Sequence, residues 1–268
     1  MKVLELFSGT CSVGKVAKQL DWETVSVDMI LPADHQCDIM NFDYKQYPKN
    51  EFDIVWASPP CTAYSNLQSC WLGRKKKDGQ IYTKEKMESD MNDADMIVKK
   101  TLEIIEYFDC EYWFMENPQT GKLKSREFMK DIPFYDVSYC MYSDWGYEKR
   151  TRIWTNKKDW SNKICDKSGA CGNMIESKNS LIHSERMGTS KTVIHDGKII
   201  RVNTAELREK YKDYTNIQKE DKIKKHKKGI GLGKKQLDAG QIMVKGGGTN
   251  RLDRYRIPED LIFSLFLD

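Results

Sequence analysis

Hydrophobic and polar positions follow two rhythms over residues 1–156. Short apolar runs of strand length alternate with stretches whose apolar residues recur every three or four positions. Val3–Phe7 reads as a buried strand, and Ser12–Leu20 as a helix with Val13, Val16, Ala17 and Leu20 on one face. Thr24–Asp28 is a second strand that ends in an acid, and Cys37-Asp38-Ile39 reads as a third strand end. Asp53–Ala57 is the fourth strand. Glu88–Phe108 carries Met91, Ala94, Val98, Leu102 and Ile105 at helical spacing, and Tyr112–Met115 is a fifth strand running into Glu116. Asp136–Met141 and Arg152–Thr155 read as a closing pair. This β-α-β alternation predicts an α/β fold, an open and mostly parallel sheet with helices on both faces.

After Asn156 the rhythm is lost. Glycine-rich and polar stretches take over, at Ser168–Gly172, Gly229–Gly233 and Gly246–Gly248. This predicts a small loop-rich insert rather than a second domain with a large core. Helical patterning returns in Arg251–Asp268, where Leu261, Ile262, Leu265 and Phe266 form an apolar patch. The expected division is 1–156 as the catalytic and cofactor-binding domain, 157–245 as a small basic region, and 246–268 as a segment packing back on the first.

Composition narrows the class. Of 268 residues, 39% are hydrophobic and 31% charged, and no apolar run approaches the ~20 residues of a membrane helix. Glu5 comes too early for a signal peptide, and the eight cysteines follow no repeat; reduced thiols in an intracellular compartment are expected. The net charge of +4 is unevenly spread: residues 157–245 hold 21 Lys and Arg against 11 Asp and Glu, whereas the remainder is net acidic. The basic density peaks from Lys222 to Lys235. A phosphate-contacting surface and a solvated lysine-rich loop both fit that charge.

Candidate chemistry gathers at strand ends. Glu5-Leu6-Phe7-Ser8-Gly9-Thr10-Cys11-Ser12-Val13-Gly14 is a strand, a tight glycine turn and a helix start, a geometry that lets a nucleotide-like ligand approach the backbone. Asp28 ends the next strand, where an acid typically binds ribose hydroxyls, and Asp38 follows where it reaches an adenine amino group. The ordered set predicts an adenosine site, with Phe7, Gly9, Thr10, Asp28, Met29, Asp38, Ile39 and Pro59 as its candidate residues. After the fourth strand, Pro59-Pro60-Cys61 stiffens a turn and presents a thiol at its rim.

Phe7-x-Gly9, Pro60-Cys61, Glu116-Asn117-Pro118 and Arg150-Thr151-Arg152 occur in the order and approximate spacing of the DNA cytosine carbon-5 methyltransferases, which the chain resembles over residues 1–156 and the tail near 249–260. Tyr112–Pro118 and Arg254–Pro258 are most similar to the short versions carried by phages and large viruses. The resemblance implies a Rossmann-like fold that binds S-adenosyl-L-methionine and acts on a flipped cytosine in double-stranded DNA. It implies that Cys61 adds to carbon-6, that Glu116 is the acid at N3, and that Arg152 holds the base carbonyl and orients Glu116. Pro60, Ser65, Asn117 and Arg150 become candidate substrate contacts. Ser65 to Gly79, with Lys75–Lys77, becomes a loop closing over the base.

The pattern departs from the family in four places. Cys11 and Ser12 replace glycines, Pro118 stands where valine is common, Glu148 stands where glutamine is usual, and no final Gly-Asn motif follows residue 258. A monomer is expected, with any nuclease partner on another chain and no membrane association. The same chemistry on RNA, and a DNA-binding protein of this fold without turnover, are the alternatives. Cys165-x5-Cys171 with Cys140 and His183 or His195 has no standard zinc spacing; these are expected to be unrelated thiols, and no metal is expected.

Overall fold

The computed structural model describes residues 1–76, 78–177, 180–183, 191–195, 198–202 and 255–268. It divides into two compact units: residues 1–137, 150–163 and 257–268 in the first, 138–149 and 164–256 in the second. The basic run Lys222–Lys235, the glycine stretches Gly229–Gly233 and Gly246–Gly248, the segment Thr249–Arg251 and Lys77 lie outside the described residues.

Seven strands form one sheet: β1 (Lys2–Leu6), β2 (Glu23–Asp28), β3 (His35–Gln36), β4 (Ile54–Ala57), β5 (Tyr112–Pro118), β6 (Phe134–Ser138) and β7 (Arg150–Thr155). Their order is β3-β2-β1-β4-β5-β7-β6. β1 pairs in parallel with β2 and β4, and β4 in parallel with β5, whereas β7 runs antiparallel to β5. This is the Rossmann-like α/β architecture. The order reverses between β1 and β4, and in such sheets ligands bind outside the carboxyl ends of the strands at that point. The glycine turn follows β1 and the Pro-Pro-Cys turn follows β4, so topology alone sets the two candidate elements side by side.

Both faces of the sheet are covered. Helix α2 (Lys84–Phe108) starts where Thr83 Oγ1 accepts the Lys86 N–H and stops at Asp109, left-handed at φ 47°. Its buried stripe, Met91, Val98, Ile105 and Phe108, packs with Leu4, Leu6, Val55, Ala57, Met115 and Trp154. Helix α1 (Ser12–Gln19) buries Val13, Val16 and Ala17. Helix α3 (Glu259–Leu267) buries Leu261, Ile262, Leu265 and Phe266. The Phe266 ring lies 5.4 Å from Trp22, 6.1 Å from Phe114 and 6.4 Å from Trp56. Lys157 Nζ closes the end of α3 by donating to the Leu265 carbonyl at 2.7 Å.

In the second unit, β8 (Met174–Ser177) pairs antiparallel with β9 (Ser180–His183), and β10 (Lys191–His195) with β11 (Lys198–Val202). The Arg256 guanidinium lies 4.6 Å over Trp145.

Several boundaries differ from the sequence expectation, among them the strand expected at Asp136–Met141, which runs from Phe134 to Ser138. Cys37-Asp38-Ile39 is not a strand: β3 ends at Gln36, and Asp38 caps a short 3-10 turn, Ile39–Asn41, by accepting the Met40 N–H at 2.9 Å. β5 runs on through Pro118 because β7 supplies partners as far as Thr151. The division expected at residue 156 is crossed twice, since 138–149 cluster with the second unit and 150–163 return to the first.

Candidate active site

The turn after β1 is held by two acids. Phe7 (φ 59°), Gly9 (φ 52°) and Cys11 (φ 53°) all take the left-handed conformation within five residues. That region is costly for a bulky residue, so strain concentrates at this reversal. Asp28 offsets it: Oδ2 accepts the Gly9 N–H at 2.9 Å, and Oδ1 accepts those of Ile30 and Leu31, both at 2.8 Å. Glu5 accepts the Val13 and Gly14 N–H groups at 3.1 and 2.9 Å, so a strand carboxylate satisfies the first turn of α1. Gly14 permits this approach, because a Cβ there would lie 3.1 Å from Glu5 Oε2. Burial pushes the Glu5 carboxyl up to about 7 against the two backbone hydrogen bonds that lower it. Sequence reasoning missed Glu5 as a site residue. Its signal was an acid inside an apolar strand one turn before a helix start.

The expected adenosine residues fall into two groups. Phe7, Gly9, Thr10, Asp28 and Asp38 are partly accessible, and Met29 beside Asp28 is exposed, as is Ile30. Ile39 instead belongs to the core, and Pro59 is buried beneath the turn that follows β4. The donor set fits a nucleoside carrying a cationic sulfonium: acids for hydroxyls and positive charge, exposed apolar side chains for a ring face, and a glycine turn that leaves the backbone open.

The Cys61 turn is pinned at both ends. Asn117, fully buried, donates Nδ2 to the Pro59 carbonyl at 2.9 Å. Tyr64, also fully buried, donates its hydroxyl to Asp95 Oδ1 at 2.8 Å, while its backbone oxygen accepts the Lys122 N–H at 2.8 Å. Asp95 on α2 is held in turn by Arg126, whose Nε and Nη2 lie 2.8 and 2.5 Å from Oδ2. Cys61 itself is partly accessible, Pro60 is exposed, and Glu116 is buried at the end of the strand that carries Asn117. Tyr64, Asp95 and Arg126 had no sequence signal, because nothing local links positions 31 residues apart.

Arg152 takes a partner that its sequence context does not announce. Its Nε and Nη2 donate to Asp136 at 2.7 and 2.9 Å, and its guanidinium lies 3.4 Å over the Phe134 ring. The register sets Arg152 opposite Asn117 and Ile153 opposite Glu116. Side chains alternate along a strand, so Arg152 shares a face with Asn117. Ser65 caps the 3-10 turn Asn66–Trp71 by accepting the Leu67 N–H at 3.2 Å. Arg150 is exposed at the start of β7. Beyond Ser65, a bridge between Lys75 and Ile81 folds the basic stretch into a small hairpin, with Lys76 Nζ 3.7 Å over Tyr82.

A protein from Frog virus 3 named "Probable DNA (cytosine-5)-methyltransferase" is 39% identical over 183 residues, which cover 67% of this chain and 82% of that protein. The chain belongs to the DNA cytosine-5 methyltransferase family. No model of a protein family matches it. Solved structures similar to it are more distant. A putative DNA modification methyltransferase from an E. coli prophage is 12% identical with TM-score 0.40, covering 58% of this chain and 46% of that one. A mutant of Spodoptera frugiperda DNMT2 is 18% identical with TM-score 0.34, covering 62% and 53%. The Entamoeba histolytica methyltransferase EhMeth is 15% identical with TM-score 0.48, covering 99% and 96%. The chain thus spans about half the length of the first two. Among the described residues no helix is long and apolar enough to cross a membrane.

Proposed function

We propose that this member of the family methylates carbon-5 of a cytosine flipped out of double-stranded DNA, with S-adenosyl-L-methionine as cofactor and Cys61 as nucleophile. The observation that carries this reading is the Cys61 turn at the switch point of the sheet, tied through Asn117 to the strand that bears buried Glu116. When bound, the cofactor supplies an electrophilic methyl group, and the Phe7–Thr10 turn, Asp28, Met29 and Asp38 would hold it.

The protein's own groups prepare the base. Carbon-5 of cytosine is a poor nucleophile. Addition of the Cys61 thiolate forms a sulfur–carbon-6 bond and pushes the ring electrons toward carbon-5. Glu116 at N3 gives that charge a place to go, by delivering a proton as sulfur adds. After carbon-5 has been methylated, its proton passes to water, the sulfur–carbon bond breaks to free the Cys61 thiolate, and the N3 proton returns to Glu116, which restores the aromatic ring. Asp136 engages Nε and Nη2 of Arg152, which leaves the donors of Nη1 for the base carbonyl. Ser65, Arg150 and Pro60 line the approach to Cys61 on this reading.

The test uses tritiated S-adenosylmethionine with mixed-sequence duplex DNA and, in parallel, structured RNA. Label recovered as 5-methylcytosine in DNA, abolished by Cys61→Ser and strongly reduced by Glu116→Gln, is the expected result. Label on adenine or on the cytosine amino group would refute the role of Cys61. Label in RNA alone would refute DNA as substrate.

A further inference from the structure

The second unit contains a cluster that methyl transfer does not use. Cys140 sits in the 3-10 turn that follows β6, Cys165 and Cys171 bracket the turn 166–170, and His183 ends β9. Their ligand atoms all lie within 4.8 Å of one another. The four side chains expected to be unrelated converge from three separate segments of the chain.

We propose that Cys140, Cys165, Cys171 and His183 form a closed structural zinc site. The distances from His183 to two of the sulfurs match a tetrahedron's edges. Zinc bonded to sulfur at ~2.3 Å and to nitrogen at ~2.0 Å sets sulfur and nitrogen about 3.5 Å apart at the tetrahedral angle. His183 Nε2 lies 3.7 Å from Cys165 Sγ and 3.7 Å from Cys171 Sγ. All three cysteines are free of disulfides. A disulfide between two of them would leave the third thiol and the inward imidazole without a purpose, whereas one ion uses all four. Three thiolates and one imidazole suit zinc, and four protein ligands leave no open position for a substrate.

The surroundings hold the ligands in place. Buried Asn173 donates Nδ2 to the carbonyls of Cys140, Ser143 and Cys171 at 2.8, 2.7 and 2.9 Å, and its Oδ1 accepts the Gly146 N–H at 2.9 Å. One side chain thus fastens the 140–146 loop to the turn that carries Cys171. The next residue, Met174, pairs with His183 across β8 and β9, which fixes the fourth ligand to the same frame. On binding a divalent cation, three thiol protons leave, three sulfur–metal bonds form, and neutral His183 donates its lone pair.

The ion would cross-link residues 140, 165, 171 and 183 in a unit whose described part is two hairpins and loops. A small fold of this kind draws much of its stability from a metal.

The full chain, purified under reducing conditions without added metal or chelator, tests this by elemental mass spectrometry. One zinc per chain is expected in wild type and in Cys70→Ser, which alters an exposed thiol elsewhere; Cys171→Ser should fall several-fold toward background. Cobalt(II) provides a second readout on the wild-type chain if the variant does not fold. Intense visible bands of tetrahedral cobalt with thiolate charge transfer, displaced by one equivalent of zinc, are expected. Wild-type protein without metal above background, a weak octahedral cobalt spectrum, or two thiols recovered as a disulfide under reducing conditions would each overturn the proposal. Neither readout depends on methyl transfer, so failure here leaves the proposed function standing, and the converse also holds.

Discussion

Removing the Tyr64 hydroxyl tests whether the Cys61 turn is positioned from helix α2. Tyr64 lies three residues after Cys61, is fully buried, and donates to Asp95 at 2.8 Å. Burial and the Asp95 carboxylate raise the phenol above its usual range, so it remains a donor at any working pH. Tyr64→Phe removes one hydrogen bond to a charged acceptor, a contribution of ~1.5–3 kcal/mol. Asp95 keeps both contacts with Arg126, so the loss should stay near ~2 kcal/mol, or a fall in Tm of about 4–8 °C for a chain of this size. Arg126→Ala strips the carboxylate of its counter-charge and should cost more, ~3–5 kcal/mol. The functional signature is a split. Single-turnover methyl transfer should fall ~10–100-fold, because small misplacements of a nucleophile have effects of that size. Cofactor affinity, set by the turn after β1, should hold within about twofold on the same argument. Tyr64→Phe with an unchanged Tm and an unchanged single-turnover rate would refute the reasoning. A double-mutant cycle between Tyr64→Phe and Asp95→Asn should show coupling above ~0.5 kcal/mol.

Glu5 predicts a pH dependence. Its folded pKa of about 7 lies above the ordinary 4.5, so the folded state keeps a proton that the unfolded chain has released. This stabilisation is full below pH 4.5 and lost by about pH 7, a change of at most ~3 kcal/mol that chemical denaturation should register and Glu5→Gln should flatten. Phe266→Ala empties the space between Trp22, Trp56 and Phe114 and should lower unfolding free energy by ~3–5 kcal/mol in urea titrations. Asn117→Ala leaves the Pro59 carbonyl without its donor; stability should drop by ~1–3 kcal/mol, and methyl transfer at a temperature well below the new Tm should drop further than that loss accounts for.

Much of the first unit was legible because its signals are local. Apolar periodicity and turn residues marked β1, α1, β2, β4, α2 and β5, since each depends on residues a few positions apart. The same locality placed the glycine turn, Asp28, the Pro-Pro-Cys turn and Glu-Asn-Pro at strand ends. Locality also explains the errors. Cys37–Ile39 carries a strand-like pattern, but Asp38 uses its side chain on the Met40 N–H and turns the chain instead. Asp136, which accepts from Arg152, lies on another strand and left no local signal.

By itself, then, the sequence determined most elements of the first unit and the turns that carry the candidate residues, because side-chain type and short-range period act within a few residues. Tertiary structure decided what those residues meet. Strand order set the β1 and β4 turns together, a strand carboxylate became the cap of α1, Asp95 and Arg126 came to hold a tyrosine far along the chain, and three cysteines and a histidine at non-standard spacing met in one cluster. Such contacts arise from loop closure and the packing of distant elements, and those steps leave no period in the sequence to read.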